Sequence, residues 1–207
     1  MNKLIATLSV AALLVACGQS TDTTEPEVAA EASQIFDMPY LQRDLENGLR
    51  VVIVPTDYPD IVTIQIPVQT GSRNEIESGK TGFAHFFEHM MFRGTEKYPA
   101  DVYADILKKA GADQNAYTSS DLTNYHITFT KDDLEKVIEI EADRFQNLSY
   151  SEDVFRTEAL AVKGEYLKNF SNPFSKMYER LSDLMFSKHT YKHTTMGFIE
   201  DIEAMPD

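Results

Sequence analysis

The sequence is poor in cysteine and in basic residues. It contains one cysteine, no tryptophan, and 19 lysines and arginines against 33 acidic residues, which gives a formal net charge of -14. A single cysteine excludes an intramolecular disulfide. Nucleic acid is disfavoured as a partner, because phosphate binding needs clustered lysines and arginines. The remaining composition, 43% hydrophobic and 25% charged residues in a chain of 207, is that of a globular protein with one sizeable core.

The N-terminal segment differs from the rest of the chain. Lys3 gives a short positive start, and the run from Leu4 to Ala16 is almost wholly apolar. This order predicts an export signal peptide over residues 1–16, because the run is too short to be a stable membrane span. The run ends in Leu14-Val15-Ala16-Cys17, which resembles the lipobox of bacterial lipoproteins.

Cys17 is therefore predicted to carry a lipid that anchors the protein to a membrane. A buried free cysteine fits poorly, because Cys17 lies between an apolar and a polar stretch. Residues 17–35 are expected to form the lipidated cysteine and a flexible tether, with the folded domain over residues 36–207. The residue after Cys17 is Gly18 and not Asp, which resembles the lipoproteins that are bound to the outer membrane. The predicted location is therefore the bacterial cell envelope, at the outer membrane facing the periplasm.

Turn-forming and alternating residues predict the β-structure. Asn47-Gly48 is a typical hairpin turn between two short β-rich runs. Residues 62–68 alternate apolar and polar side chains, and Pro67 within them indicates an edge strand or a bulge. Two further strands are expected near residues 114–118 and 125–130.

Apolar residues at three- and four-residue steps predict the helices. The first contains Phe83, Phe86 and Met90 and is expected to stop at Gly94. The others are expected over residues 100–110, over 134–148 after a capping box of Thr130 and Asp133, after a cap at Ser151, and over 174–186. This order of elements predicts an α+β domain with helices on one face of a largely antiparallel sheet.

His85-Phe86-Phe87-Glu88-His89 is an H-x-x-E-H motif within the first helix. The two histidines lie one turn apart, so both imidazoles can reach one metal ion, and Glu88 on the flank can accept a proton from a water. A core helix whose histidines donate to carbonyl groups is the plain alternative. His189 and His193 have the same spacing without an acid between them, and they are predicted to be loop or helix-end residues.

The chain from about Leu45 onwards resembles the pitrilysin-like M16 metallopeptidases, the family of insulin-degrading enzymes and mitochondrial processing peptidase. The resemblance rests on the H-x-x-E-H motif and on the following segments: Thr81-Gly82-Phe83-Ala84, Phe92-Arg93-Gly94-Thr95, Asn115-Ala116-Tyr117-Thr118, and the pair Glu158 and Glu165.

The resemblance implies roles for residues beyond the motif. Glu165 corresponds to the third zinc ligand, after His85 and His89, and Glu158 to an acidic residue that supports the catalytic site. Ala161, between the two acids, would permit close approach of the histidine helix. Asn115 and Ala116 resemble the edge-strand segment on which the family aligns the substrate backbone, although an ordinary strand start remains an alternative.

The resemblance implies a zinc endopeptidase with one Zn²⁺ per chain, acting on peptides or unfolded segments with Glu88 as the general base. Family members enclose the substrate between two domain-sized halves, whereas this sequence is expected to cover less than the first half. A companion half is therefore an expected partner. The rival interpretation is a non-catalytic or incomplete M16-like scaffold or binding lipoprotein.

Overall fold

The structure, a computed structural model, describes residues 38–205. It divides into two compact units, one ending at Pro55 and one beginning at Thr56, and each is described by itself. Residues 1–37, which include the predicted signal peptide, Cys17, the whole predicted tether and the first two residues of the predicted domain, lie outside the described residues.

The first unit contains the predicted hairpin. Strand β1 spans Leu41–Asp44 and pairs antiparallel with β2, which spans Arg50–Ile53. The turn is closed by the Leu45 amide donating to the Leu49 carbonyl at 2.8 Å, and Gly48 adopts a φ of +87° that disfavours a residue with a Cβ. The Asn-Gly turn signal is thus confirmed.

The second unit contains a three-stranded antiparallel sheet. Its strands are β3 (Ile61–Val68), β4 (Asp113–Thr118) and β5 (Thr123–Thr130), in the spatial order β3-β5-β4. Pro67 lies in β3, which pairs only with β5 among the described strands, so the predicted edge position is confirmed. Strand β4 forms the other edge of this sheet.

Six α-helices complete the second unit. They are α1 (Phe83–Met90), α2 (Ala100–Lys109), α3 (Leu134–Asn147), α4 (Glu152–Asn169), α5 (Pro173–Met185) and α6 (Ile199–Ala204). Short 3₁₀ turns span Ser72–Asn74, Lys131–Asp133 and Thr190–Lys192. The predicted α+β class with an antiparallel sheet is confirmed. None of the described helices has both the length and the apolar character needed to cross a membrane.

Two apolar clusters position helices α1 to α4. One packs Leu107 of α2 and Val137 and Ile140 of α3 against Ile127 and Phe129 of β5. It covers one face of the sheet. The other packs α1 against α4, through buried side chains that include Phe86, Met90, Ala159 and Val162. Because this second cluster joins α1 to α4, it brings the histidine motif beside the helix that carries Glu165.

Two local expectations were wrong, and one helix was missed. Helix α1 ends at Met90 and not at Gly94, because the amides of Phe92 and Arg93 make tighter bonds to carbonyls three residues back. Thr130 and Asp133 form no capping box, because their side chains bond to each other at 3.3 Å and neither caps a backbone amide. The short helix α6 was not expected at all.

Candidate metal centre

Helix α1 presents both motif histidines on one side. Phe86 and Met90 are fully buried against α4, and this packing fixes the rotation of the helix about its axis. His85 and His89 then lie on neighbouring turns with their Nε2 atoms 3.2 Å apart. Both nitrogens point toward the same space.

Glu165 of α4 completes a triangle of donor atoms with the two histidines. Its Oε2 lies 3.7 Å from Nε2 of His85 and 3.4 Å from Nε2 of His89. Tetrahedral zinc with ligand bonds of about 2.0–2.1 Å separates neighbouring ligand atoms by roughly 3.3 Å. The three donors are also of the types that zinc prefers, so the residues present fit a zinc ion.

Glu158 lies on the same face of α4 as Glu165, and it holds the ring of His89. Its buried carboxylate lies 2.8 Å from Nδ1 of His89 through Oε1 and forms an ion pair with Arg93 through Oε2. A carboxylate at Nδ1 favours the tautomer that keeps the proton there, which leaves the lone pair of Nε2 free for a metal. Glu158 therefore orients a donor and does not itself join the triangle.

Glu88 lies beside the triangle and outside it. The hydroxyl of Thr118, on β4, donates to its Oε2 at 2.5 Å. Burial raises the pKa of Glu88, with the bond from Thr118 and the nearby His89 acting in the opposite direction. A carboxylate with a raised pKa, next to a metal-type donor set, has the properties required of a general base.

His85 is mostly buried, and this has two consequences. Burial, followed by the neighbouring His89, lowers the pKa of His85 and favours the neutral imidazole that a metal needs. Its Nδ1 is buried and has no hydrogen-bond partner among the residues described. The two histidines thus differ, because only His89 has a protein carboxylate behind its ring.

Asn115 and Ala116 lie in the exposed edge strand β4, paired on the inner side with His126 and Tyr125. The Ser119 amide bonds to the Leu122 carbonyl at 2.8 Å, and the alternation of an antiparallel ladder then directs the backbone of Ala116 outward. In agreement, the Ala116 amide bonds to Oδ1 of the Asn115 side chain at 2.9 Å.

Comparisons with known proteins show the family of the chain. The family model described as "Insulinase (Peptidase family M16)" matches residues 50–198. The chain belongs to the M16 peptidase family. It is 35% identical over 161 residues to the zinc protease PqqE of Helicobacter pylori, covering 77% of this chain and 36% of that protein. It is 31% identical to insulin-degrading enzyme-like 2 of Arabidopsis thaliana, covering 79% of this chain and 17% of that protein.

Two solved structures are similar to this M16 chain. A protease from Helicobacter pylori matches with a TM-score of 0.77 and 33% identity, over 80% of this chain and 40% of that one. The first half of the periplasmic protease PqqL from Escherichia coli matches with a TM-score of 0.70 and 27% identity, over 81% of this chain and 37% of that one. The chain therefore spans well under half the length of these M16 relatives.

The structure brings His85, His89, Glu158 and Glu165 together, and it places Asn115 and Ala116 in β4. Arg93 and Thr118 were quoted in the family resemblance but were given no role. The prediction that Ala161 permits close approach of α1 was wrong, because Ala161 is exposed. Ala159 and Val162 make the close contact with α1. His193 is buried at the end of the 3₁₀ turn that begins after His189.

Proposed function

We propose that this chain is the zinc-binding catalytic part of an M16 endopeptidase that hydrolyses peptide bonds in peptides or unfolded segments. The observation that carries the proposal is the triangle of His85, His89 and Glu165, with Glu88 beside it. These three residues would hold one Zn²⁺ per chain. Membership of the M16 family, and relatives that are named zinc proteases, support the same conclusion.

Zinc bound in the triangle would supply a Lewis acid that lowers the pKa of a water and polarises the scissile carbonyl. Glu88 accepts the proton of the attacking water and then delivers it to the leaving amine. The Thr118 hydroxyl donates to Oε2 of Glu88, so Oε1 is the oxygen that accepts and returns the proton. Glu158 keeps His89 in the tautomer that presents Nε2 to the metal.

The substrate backbone is proposed to bind along β4 as an added strand. This mode of recognition uses the main-chain groups of an exposed sheet edge, which β4 provides in the described sheet. Ala116 would offer its amide after the Asn115 side chain, which now accepts from that amide, rotates away. Thr118 lies two residues further along the same strand, so a peptide there would run past Glu88.

A companion half is proposed as the partner needed for efficient cleavage. The M16 relatives are much longer than this chain, and PqqL is described as having a first half. Helix α5 exposes a stripe of large apolar side chains, of which Phe174 is 73% and Leu184 66% exposed, and a companion polypeptide could cover it. Because enclosure positions the scissile bond and excludes water, we expect weak peptidase activity from the chain alone.

The remaining proposal concerns the location of the protein. Lipid on Cys17, after a signal at residues 1–16 and before a tether to residue 35, would hold the domain of residues 36–207 in the cell envelope, facing the periplasm. The similar protein PqqL from Escherichia coli is a periplasmic protease, which supports an envelope location.

Two matched substitutions test the proposed roles. Glu88→Gln should keep zinc and abolish hydrolysis of a quenched fluorescent peptide, because an amide cannot accept the proton. Glu165→Gln should weaken zinc binding itself, since it removes a charged ligand. Glu152→Gln, an exposed change on the same helix as Glu165, is the control and should alter neither property. Exchanged phenotypes of the first two variants would contradict the assignment, and unchanged cleavage by all of them would contradict the peptidase.

A further inference from the structure

Helix α1, which carries the H-x-x-E-H motif, has no cap of its own. Its N-cap residue is Gly82, with a φ of +90° and no side chain to accept from the first amides. A Cβ at this position would lie 2.6 Å from the Met196 carbonyl oxygen, so no larger residue fits without movement. The first amides of a helix need partners from elsewhere when the local sequence supplies none.

Glu75 supplies these partners from outside the helix. Its Oε2 accepts from the Gly82 amide at 2.8 Å, and its Oε1 accepts from the Ala84 amide at 2.7 Å. Its side chain is only 6% exposed. A carboxylate at this end is also favoured by the positive pole of the helix dipole.

The Glu75 segment is itself firmly attached to the sheet. It follows the 3₁₀ turn Ser72–Asn74, in which the Arg73 amide donates to the Ser120 carbonyl at 2.9 Å. A Cβ on Gly71, just before this turn, would lie 2.5 Å from the Ser119 carbonyl oxygen. Glu75 therefore fixes the position of the start of α1 relative to the β4–β5 turn. This turn lies at the end of the strand that carries Thr118.

A second attachment holds the residue before Gly82. Thr81 donates to Oδ2 of Asp201 through its amide at 3.0 Å and through its hydroxyl at 2.5 Å. The same hydroxyl accepts from the Phe198 amide at 2.8 Å. The entry to α1 is thus held on two sides, by Glu75 and by the N-terminus of α6, before the helix reaches His85.

We propose that Glu75 is a positioning residue of the metal centre. Helix α1 has only eight residues, and Ala84, whose amide Glu75 binds, directly precedes His85. A change in the height or rotation of this short helix moves both histidine nitrogens relative to Glu165. The inference rests on the proposed function, because it explains how the zinc ligands are aligned.

The experiment uses the full chain with zinc and with Co²⁺ as a spectroscopic substitute. Glu75→Gln replaces one acceptor oxygen with an NH₂ group, so the amide of Gly82 or of Ala84 loses its partner. We expect the zinc dissociation constant to rise roughly tenfold, as for other residues that orient ligands, and the visible Co²⁺ absorption bands to change. Glu75→Asp keeps the charge with a shorter reach and should lie between wild type and the Gln variant.

Asn172→Ala is the matched control. Asn172 caps α5, which carries none of the proposed ligands, by accepting from the Phe174 amide at 3.0 Å. Its loss should lower stability and leave both zinc affinity and the Co²⁺ spectrum unchanged.

Three outcomes would overturn the inference. Wild-type affinity and spectrum in both Glu75 variants would refute the positioning role alone. An equal loss of zinc affinity in Asn172→Ala would show that the Glu75 variants act through the general stability of the fold. A wild-type chain that binds neither metal would instead contradict the proposed function on which the inference rests. If Glu75→Gln does not fold, the Asp variant decides between the first two outcomes.

Discussion

Replacing Glu158 with alanine should weaken zinc binding while leaving a folded protein. Glu158 is 3% exposed, yet it touches the triangle only through His89, at 2.8 Å from Nδ1. The variant therefore removes no ligand. It removes the group that fixes the tautomer and the ring orientation of one ligand.

The magnitude follows from the two contacts that are lost. Removing a partner behind a metal-binding histidine typically weakens metal affinity by about 10- to 100-fold, or roughly 1.4–2.7 kcal/mol. The ion pair with Arg93 is lost as well, but the Arg93 side chain is 40% exposed and can be hydrated. The free energy of unfolding of the metal-free protein should therefore fall by only about 1–3 kcal/mol.

Competition with a chromophoric chelator measures zinc affinity, and urea denaturation of the metal-free protein measures stability separately. Glu152→Ala, an exposed change in the same helix, should alter neither quantity appreciably. The reasoning about the His89 ring fails if the Glu158→Ala protein is folded and binds zinc as tightly as wild type.

Three further predictions concern single residues. Thr118→Val should raise the pKa of Glu88 further in the metal-free protein, because the lost hydroxyl stabilises the ionised carboxylate; a ¹³C NMR titration with no upward shift would contradict this. Gly82→Ala should destabilise the fold by about 2 kcal/mol or more in urea, and more than Gly79→Ala, because both positions have positive φ but only Gly82 has a crowded Cβ site. Cys17→Ser should abolish incorporation of labelled palmitate, and persisting label would identify another acceptor.

Local patterns in the sequence were sufficient to predict most of the fold and the part of the site formed by the H-x-x-E-H motif. His85, Glu88 and His89 are close in sequence, so helical periodicity alone places the two imidazoles together. Asn47-Gly48 and Ser151 also act through local geometry. The hairpin and the cap of α4, where Ser151 accepts from the Val154 amide at 3.3 Å, follow as expected.

Local sequence patterns could not predict the contacts between segments that are distant in sequence. Glu165 is distinguished from other glutamates only by its family spacing, because its approach to α1 depends on the packing of Ala159 and Val162. Glu75 gave a weaker signal still. The indication was the glycine at position 82, which denies α1 a local cap and so requires one from elsewhere. Ala161 shows the opposite failure, because small size was mistaken for close packing.

Anomalous X-ray diffraction at the zinc absorption edge, from crystals of zinc-loaded protein, tests the central claim most directly. The account predicts one strong peak per chain, about 2 Å from Nε2 of His85, Nε2 of His89 and a carboxylate oxygen of Glu165. Glu88 should lie beside this peak without coordinating it. No peak in the triangle, a peak with Glu88 in place of Glu165, or a peak only at His189 and His193 would contradict the account.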